Sequence, residues 1–362
     1  MSNNTLNILL TCVNAQVSPS FTQLIYGHPD YEIKVIGTDA VSVENNLGRS
    51  FCHKCYQVPS GTDKNYIPSI KSIVSENNIK LIFPCSDEEC LSLSRISKEL
   101  KRMGCDIACS SYAVVSETSN KYRLMNKLIE VGIHTSVAYA PQTISDIKLI
   151  AKKLGYPKND IVFKPIYGRG SKGFKLITEK TNRYDSFTCA FAYKLSLDEL
   201  MSIFSERQYE ISKYMMMEYY PGDKYSADIL VANGKVISMV IRNNGSLPKI
   251  TPPTQIADIV FDEDIRKYAE SIVGIFGFDY FVQIEIGRDI KGSPCLIEIN
   301  TRLDAALPIT TGLGLNFFHE MITYAMTGRM RENICDYRTY DRRLRFRRYW
   351  QHIFEEIHDD TF

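Results

Sequence analysis

The stretch that decides the fold is Pro294–Pro308, PCLIEINTRLDAALP. Strand side chains alternate between two faces. With Leu296 standing apart, Ile297, Ile299 and Thr301 take one face, and Glu298, Asn300 and Arg302 take the other. An isolated E-x-N-x-R row fits the solvated face of an amphipathic strand. The preceding run FVQIEIG, residues 281–287, changes the balance, because Gln283 and Glu285 share one of its faces. If the turn over DIKGS pairs Glu285 with Glu298, Gln283 falls opposite Asn300. Cross-strand neighbours lie ~4.5–5.5 Å apart at Cβ, so two carboxylates and an amide oxygen repel one another unless a cation sits between them. Oxygen-only ligation points to Mg2+, with Mn2+ accepting the same donors. Such an ion, held by few protein ligands, completes its shell with water and substrate phosphates.

Two clusters lie upstream. In FKPIYGRGSKGFKLI, residues 163–177, Gly168, Gly170 and Gly173 match G-x-G-x-x-G, but the next residues, FKLI, read as a strand and not the helix that a dinucleotide fingerprint requires. No Walker G-K-[ST] is present. A glycine-rich turn between antiparallel strands remains, able to fold backbone N–H groups, those of Gly168, Gly170, Ser171 and Gly173 among them, over phosphates. Lys164 ends the strand before it, a point charge within reach of a phosphate. In MMMEYYPGDKYSADIL, residues 215–230, apolar residues lead to Glu218, then Tyr219, Tyr220 and Pro-Gly. An aromatic pair at a strand end can line an adenine slot, but on this stretch alone tyrosines that cover the core of a hairpin are the better reading.

Residues 1–112 alternate strand-like and helical runs: LNILLTCV, SPSFTQLIYGHP, YEIKVIGTD, YIPSIKSIVSENN, IKLIFPCSD, EECLSLSRISKELKRMG and CDIACS. That alternation predicts a parallel wound α/β sheet. The first turn, TCVNAQVSPS, lacks glycine, so the dinucleotide-binding fingerprint is absent there. Further on, SNKYRLMNKLIEVGI and SDIKLIAKKLGYP carry helical periods, DEDIRKYAESIVGIFG is helical, and YFVQIEIGRDIKGSPCLIEIN is a hairpin. The division expected is 1–112, an α/β domain; 113–215, a linker helix and lid subdomain; 216–335, the subdomain holding the site; and 336–362, a basic tail containing RRLRFRRYW.

The bulk numbers exclude as much as they suggest. With 43 basic and 42 acidic residues, net charge gives no reason to expect nucleic acid or an anionic membrane as partner. No apolar run approaches the ~20 residues that span a bilayer. The ten cysteines are scattered, most in apolar runs where a thiol acts as a small hydrophobe. Cys52 and Cys55 form a lone C-x-x-C for which Cys105 and Cys109 are only a weak second pair toward a structural zinc, and unpaired thiols fit a reducing cytoplasm best.

The order of the clusters, Lys with a glycine-rich hairpin, then Glu-aromatic-Pro-Gly, then Q-x-E and E-x-N-x-R, resembles the ATP-grasp superfamily, especially its carbamoyl-phosphate synthase large-subunit-like carboxylate–amine ligases. The resemblance covers most of the chain: IFPCSDEE and NKYRLMNKLIEVGI are similar to the family's segments before and along its linker helix. It implies a Rossmann-like pre-ATP-grasp domain followed by a two-subdomain ATP-grasp fold. It further implies that Lys121 and Lys164 meet nucleotide phosphate, that Gly168–Gly173 is a lid loop, and that Glu218, Tyr219 and Tyr220 receive adenine, with Asp223 beside the ribose. Glu298 and Asn300 match the Mg2+ ligands, joined by Gln283 or Glu285, and Arg302 steadies the transferring phosphoryl group. Asn120 stands where the family usually has an acid, and Lys224 where it often has a ribose-binding glutamate.

The expected activity is ATP-dependent joining of a small-molecule carboxylate to an amine through an acyl phosphate. The alternatives are bicarbonate phosphorylation of the carbamoyl-phosphate type and nucleotide binding without catalysis. Substrate contacts are expected from Arg302, Asp304, Arg242 and Asn243, and a homodimer is compatible with the family. The basic tail reads as a solvated terminal strand, with closure over an anionic substrate as the other reading.

Overall fold

The structure is a computed structural model describing residues 5–168, 172–181, 184, 187, 193–245, 255–331, 343–349 and 351–354. Gly170 and Ser171 of the glycine-rich turn lie outside the described residues.

The amino-terminal strands β1 (Thr5–Thr11), β2 (Glu32–Asp39), β3 (Lys54–Gln57), β4 (Leu81–Phe83) and β5 (Asp106–Ile107) form one parallel sheet in the order β3-β2-β1-β4-β5. Sheets of this kind are covered on both faces, so their strands read as continuous apolar runs. Accordingly, Ile8, Leu10, Leu81 and Phe83 enter one core, while Leu9 and Ile82 enter another on the opposite face. The alternation of residues 1–112 predicts this sheet; the short β3, which follows the first of the paired cysteines, is an addition to it. The run EECLSLSRISKELKRMG, residues 88–104, expected as one helix, falls into two, Asp87–Arg95 and Ser97–Arg102.

The second sheet contains β6 (Ile161–Pro165), β7 (Lys175–Ile177), β8 (Lys194–Leu195) and β9 (Tyr214–Glu218), in the order β8-β7-β6-β9. Ile161, Phe163, Ile177 and Met216 pack with residues of the helices Ile144–Lys153 and Leu197–Ser205. On the other face, Val162, Met215 and Met217 pack with Tyr220 and Cys295.

The third sheet has six strands: β10 (Tyr225–Ala232), β11 (Lys235–Asn243), β12 (Ile256–Ile259), β13 (Tyr280–Arg288), β14 (Pro294–Asn300) and β15 (Leu344–Arg347), in the order β14-β13-β10-β11-β12-β15. One face is apolar through its middle, with charged pairs only towards its margins. Ala227, Ile229, Met239, Ile241, Val282, Ile284, Leu296 and Ile299 meet Ile265, Ala269, Ile272 and Val273 of the helix Glu263–Phe276. The other face is divided. At one end Leu230, Val240, Ala257, Ile259 and Phe281 share a core with the first sheet and with the helix Phe317–Thr327; at the other end it is polar and holds the candidate site. The basic run is therefore partly structural, since Leu344–Arg347 pairs antiparallel with β12. No helix among the described residues is long and apolar enough to cross a membrane.

Candidate active site

The register of the last hairpin opposes Glu285 to Glu298 and Gln283 to Asn300. It continues across the sheet, because Ser226 pairs with both Glu285 and Arg242, and Asp228 pairs with Gln283. Directly opposed residues share a face. Arg242, Ser226, Glu285 and Glu298 thus form one row across four strands, with Asp228, Gln283 and Asn300 in the row behind it.

A register shift between Glu285 and Ile286 leaves Ile297 without a partner on β13. This bulge returns Leu296 to the same apolar face as Ile299, although strict alternation would place it with Glu298. It also frees the Ile297 carbonyl, which accepts a hydrogen bond from Lys164 Nζ at 2.9 Å. Lys164 arrives from β6, on the face that carries Val162. Burial pushes its ammonium down to about 8, against the pull of Glu298.

Lys121 opens the helix Lys121–Glu130, which Asn120 caps by accepting from the Arg123 N–H at 2.9 Å. Its Nζ lies 3.4 Å from Glu298 Oε2 and donates to the Gly168 carbonyl. Burial alone would raise the Glu298 carboxyl, but Lys121, Lys164 and Arg302 outweigh it and hold the group below its ordinary value. At Glu285 the balance is reversed: burial, then the neighbouring charges of Glu298 and Asp304, push it up to about 8 against the pull of Arg242 and Arg302. Two half-buried carboxylates of opposite tendency, facing each other in one row, are a donor pair that a divalent cation would reconcile. Asn300 Oδ1, with Arg302 Nη2 at 3.3 Å, completes an oxygen-rich crease. Gln283 serves differently. Its Nε2 donates to Asp228 at 3.0 Å and its Oε1 accepts from Asn300 Nδ2 at 2.9 Å, so both ends of the amide are engaged within the sheet.

Arg302 Nε is 3.1 Å from Asp87, in the first turn of the helix Asp87–Arg95, and Nη1 is 3.5 Å from Asp304. The amino-terminal domain thereby reaches into the site; Leu303 N–H also donates to the Pro84 carbonyl at 3.4 Å. Arg242 is fully buried. Its Nε meets Asp228 at 2.9 Å, Nη1 meets Asn244 at 2.9 Å and Nη2 meets Asp304 at 3.0 Å. Burial pushes the Asp228 carboxyl up despite Arg242.

Tyr220, packed with Cys295 of β14, is buried, its hydroxyl accepting from Ser136 N–H at 3.1 Å, and Ser136 Oγ donates to Glu218 at 2.8 Å. Lys224 Nζ lies 5.4 Å from the centre of the Tyr219 ring. Asp223 accepts from Asn243 Nδ2 at 2.8 Å. Gly168 and Gly173 both adopt positive φ, and a Cβ on Gly173 would meet Pro165 at 2.8 Å.

Sequence reasoning did not single out Asp87, Ser136, Asp228, Asn244 or Arg348. Asp228 carried a signal: it is an acid at the centre of the otherwise apolar run YSADILVA. Among the described residues, His134, Asp289 and Cys295 are the His/Cys/Asp/Glu group that brings three metal-ligating atoms within 4.8 Å; the Cys52–Cys55 pair is not part of it.

Residues 210–343 match the family model described as ATP-grasp in the biosynthetic pathway with Ter operon, and residues 8–108 match the PylC-like N-terminal domain. The ATP-grasp match thus lies over residues 210–343, and the wound amino-terminal sheet followed by two further sheets is the arrangement of the ATP-grasp fold. Similar solved structures include the biotin carboxylase domain dimer of 2-oxoglutarate carboxylase from Hydrogenobacter thermophilus, in complex with MgADP, ADP and bicarbonate. That protein is 17% identical, with 90% of this chain and 70% of that chain covered, at a TM-score of 0.68. L-amino acid ligase from Bacillus licheniformis is 16% identical over 92% and 76% of the two chains, with a TM-score of 0.65. N5-carboxyaminoimidazole synthetase from Staphylococcus aureus, complexed with ADP, is 13% identical over 91% and 79%, with a TM-score of 0.66. No curated protein sequence matches the chain.

Proposed function

We propose that the protein is an ATP-dependent ligase that activates a carboxylate as an acyl phosphate and passes the acyl group to an amine. The observation carrying this reading is the half-buried pair Glu285 and Glu298, opposed across one hairpin and confronted by Lys121, Lys164 and Arg302. Similar structures with ADP or MgADP bound support the choice of nucleotide and metal.

Glu285, Glu298 and Asn300 Oδ1 would hold Mg2+, which when bound offsets charge on the β- and γ-phosphate oxygens. Gln283 acts one step back, turning Asn300 so that its oxygen faces the crease. Lys164 meets phosphate at the inner end of the cleft, and a phosphate there restores its charge. A carboxylate oxygen of the substrate attacks the γ-phosphorus, and the bond to the ADP oxygen breaks with its electron pair leaving on ADP. Arg302, fixed by Asp87 and Asp304, stabilises the charge that spreads over the phosphoryl oxygens. The amine then attacks the acyl carbon, loses a proton and expels phosphate. The apolar wall of Val162, Met215 and Met217, ending at the buried Tyr220, suits adenine, with Glu218 and the Tyr220 backbone at its edge.

A second reading, phosphorylation of bicarbonate, is favoured by the similar structure that contains bicarbonate. A panel of amino acids, sugar acids, polyamines and bicarbonate, followed by ADP release and by product mass, separates the two. Glu298→Ala should lower ADP release by at least ~10²–10³-fold with the fold intact by circular dichroism. Wild-type-like turnover in that variant would remove the metal role.

A further inference from the structure

Charge runs are usually solvated, but the basic arm near the carboxyl end divides by alternation. Leu344 pairs with Ile259 and Phe346 with Ala257, and both face the core shared with the first sheet. Arg345 and Arg347 fall on the opposite face, where Arg345 grips Asp258 with two hydrogen bonds of 2.6 and 2.7 Å. The next even position is Arg348. Its backbone N–H continues the pairing by donating to Gln255 at 2.9 Å, so its side chain follows Leu344 and Phe346 inward, to the face that carries Arg242 and Glu285.

There Nη2 donates to the carbonyl of Ala305, in the loop just after the carboxylate strand. Nη1 is sealed from solvent and has no hydrogen-bond partner among the described residues. None of the ion pairs of the described residues includes Arg348, whereas Arg242 and Arg302 each have two carboxylate partners and share Asp304. Burial without a dedicated counter-ion holds its guanidinium below the ordinary value, with Asp304 pulling up and Arg242 pushing down. A buried donor left unpaired is costly, and a guanidinium is shaped to take a carboxylate.

We propose that Arg348 is the specificity residue of this site and that it binds a substrate carboxylate other than the one being phosphorylated. The inference rests on the ligase reading above. The second carboxylate belongs either to the activated acid, which is then a diacid, or to the amine, which is then an amino acid.

The full-length protein loaded with MgADP is titrated calorimetrically with two matched pairs, succinate against succinamate and L-alanine against L-alaninamide. The wild type should favour the carboxylate of at least one pair by roughly tenfold to a hundredfold, the range expected of a charged hydrogen bond. Discrimination in the succinate pair assigns the group to the acid, and in the alanine pair to the amine. Arg348→Ala should erase that preference, and Arg348→Lys, a milder change that keeps the charge without the planar fork, should reduce it. Arg345→Ala, on the opposite face of the same strand, should retain it, and all four proteins should bind MgADP equally. Carboxylate preference that survives in both Arg348 variants would overturn the proposal. So would failure of the MgADP-loaded wild type to prefer a carboxylate in either pair. Failure of the wild type to bind MgADP at all would instead overturn the underlying ligase reading.

Discussion

Glu285 and Lys164 titrate in the same pH region for opposite reasons. Burial and the charge of Glu298 push Glu285 up to about 8, while burial brings Lys164 down to about 8. In the metal-free protein, the folded state therefore binds the extra proton of Glu285 between about pH 4.5 and 8, where the unfolded carboxyl has already lost it. Stability should fall as pH rises through that window, by about 1.4 kcal/mol for each pKa unit separating the two states. Lys164 acts in reverse. The unfolded chain holds its proton up to about pH 10.5 and the folded state loses it near 8, so stability should recover between those values. Thermal melts of the metal-free protein across pH 5–10 should show a minimum near pH 8. Glu285→Gln should flatten the acid limb, and MgADP should do the same by favouring the ionised pair. A melting temperature that rises from pH 5 to 8 in the wild type would contradict this account. At this scale the sequence is informative where alternation stacks like charges, as at Glu285 and Glu298. It is silent where a partner comes from far along the chain: Arg302 and Asp87 are joined by folding alone, and nothing local to either forecasts the other.

The hairpin Tyr280–Asn300 does its work through a bulge and a glycine. The unpaired Ile297 offers its carbonyl to Lys164, linking the carboxylate hairpin to the second sheet. Ten residues earlier in the chain, Gly287 lies under Tyr220, and a Cβ there would meet Tyr220 Cδ2 at 2.8 Å and Cγ at 3.2 Å. A ring cannot swing aside as a lysine tip can, so Gly287→Ala should displace Tyr220 into the cleft. It should cost about 1–3 kcal/mol of stability and weaken ATP binding, while Gly292→Ala, with open space around its Cβ position, should leave ATP binding unchanged. Equal ATP affinity in Gly287→Ala would separate Tyr220 from the nucleotide site. The hairpin itself is legible because period-two alternation persists through both strands. The bulge is not, since Leu296 and Ile297 are both apolar and either could have been the residue out of step. β12 and β15 are four residues each, too short for alternation to stand out, and the arginines of the latter imitate a solvated run.

Across the whole molecule, the amino-terminal sheet is not a free-standing unit. Ile8, Leu10, Val13, Phe21 and Phe83 share one core with Phe317, Phe318, Met321 and Ile322 of a distant helix and with Leu230, Val240 and Phe281 of the third sheet. The second sheet has a separate core built on its own helices. Residues 1–112 expressed alone should therefore expose a large apolar surface, and should aggregate or melt without a cooperative transition. A sharp two-state melt of that fragment would show that the shared core is dispensable. The wound α/β character of this region is plain in its alternating runs, but the sequence does not reveal that it shares a core with residues 317–330. Contacts at such separation leave no periodic trace in either segment.

The central claim is that Glu285, Glu298 and Asn300 clamp a divalent cation against the terminal phosphates of ATP. A crystal structure of the protein with Mg2+ and a non-hydrolysable ATP analogue tests it most directly. The account predicts the cation bound by both carboxylates and the Asn300 oxygen, with the triphosphate between Lys121 and Lys164 and adenine beside Tyr220. Cation and phosphates bound elsewhere, with Glu285 and Glu298 left unliganded across the hairpin, would contradict it.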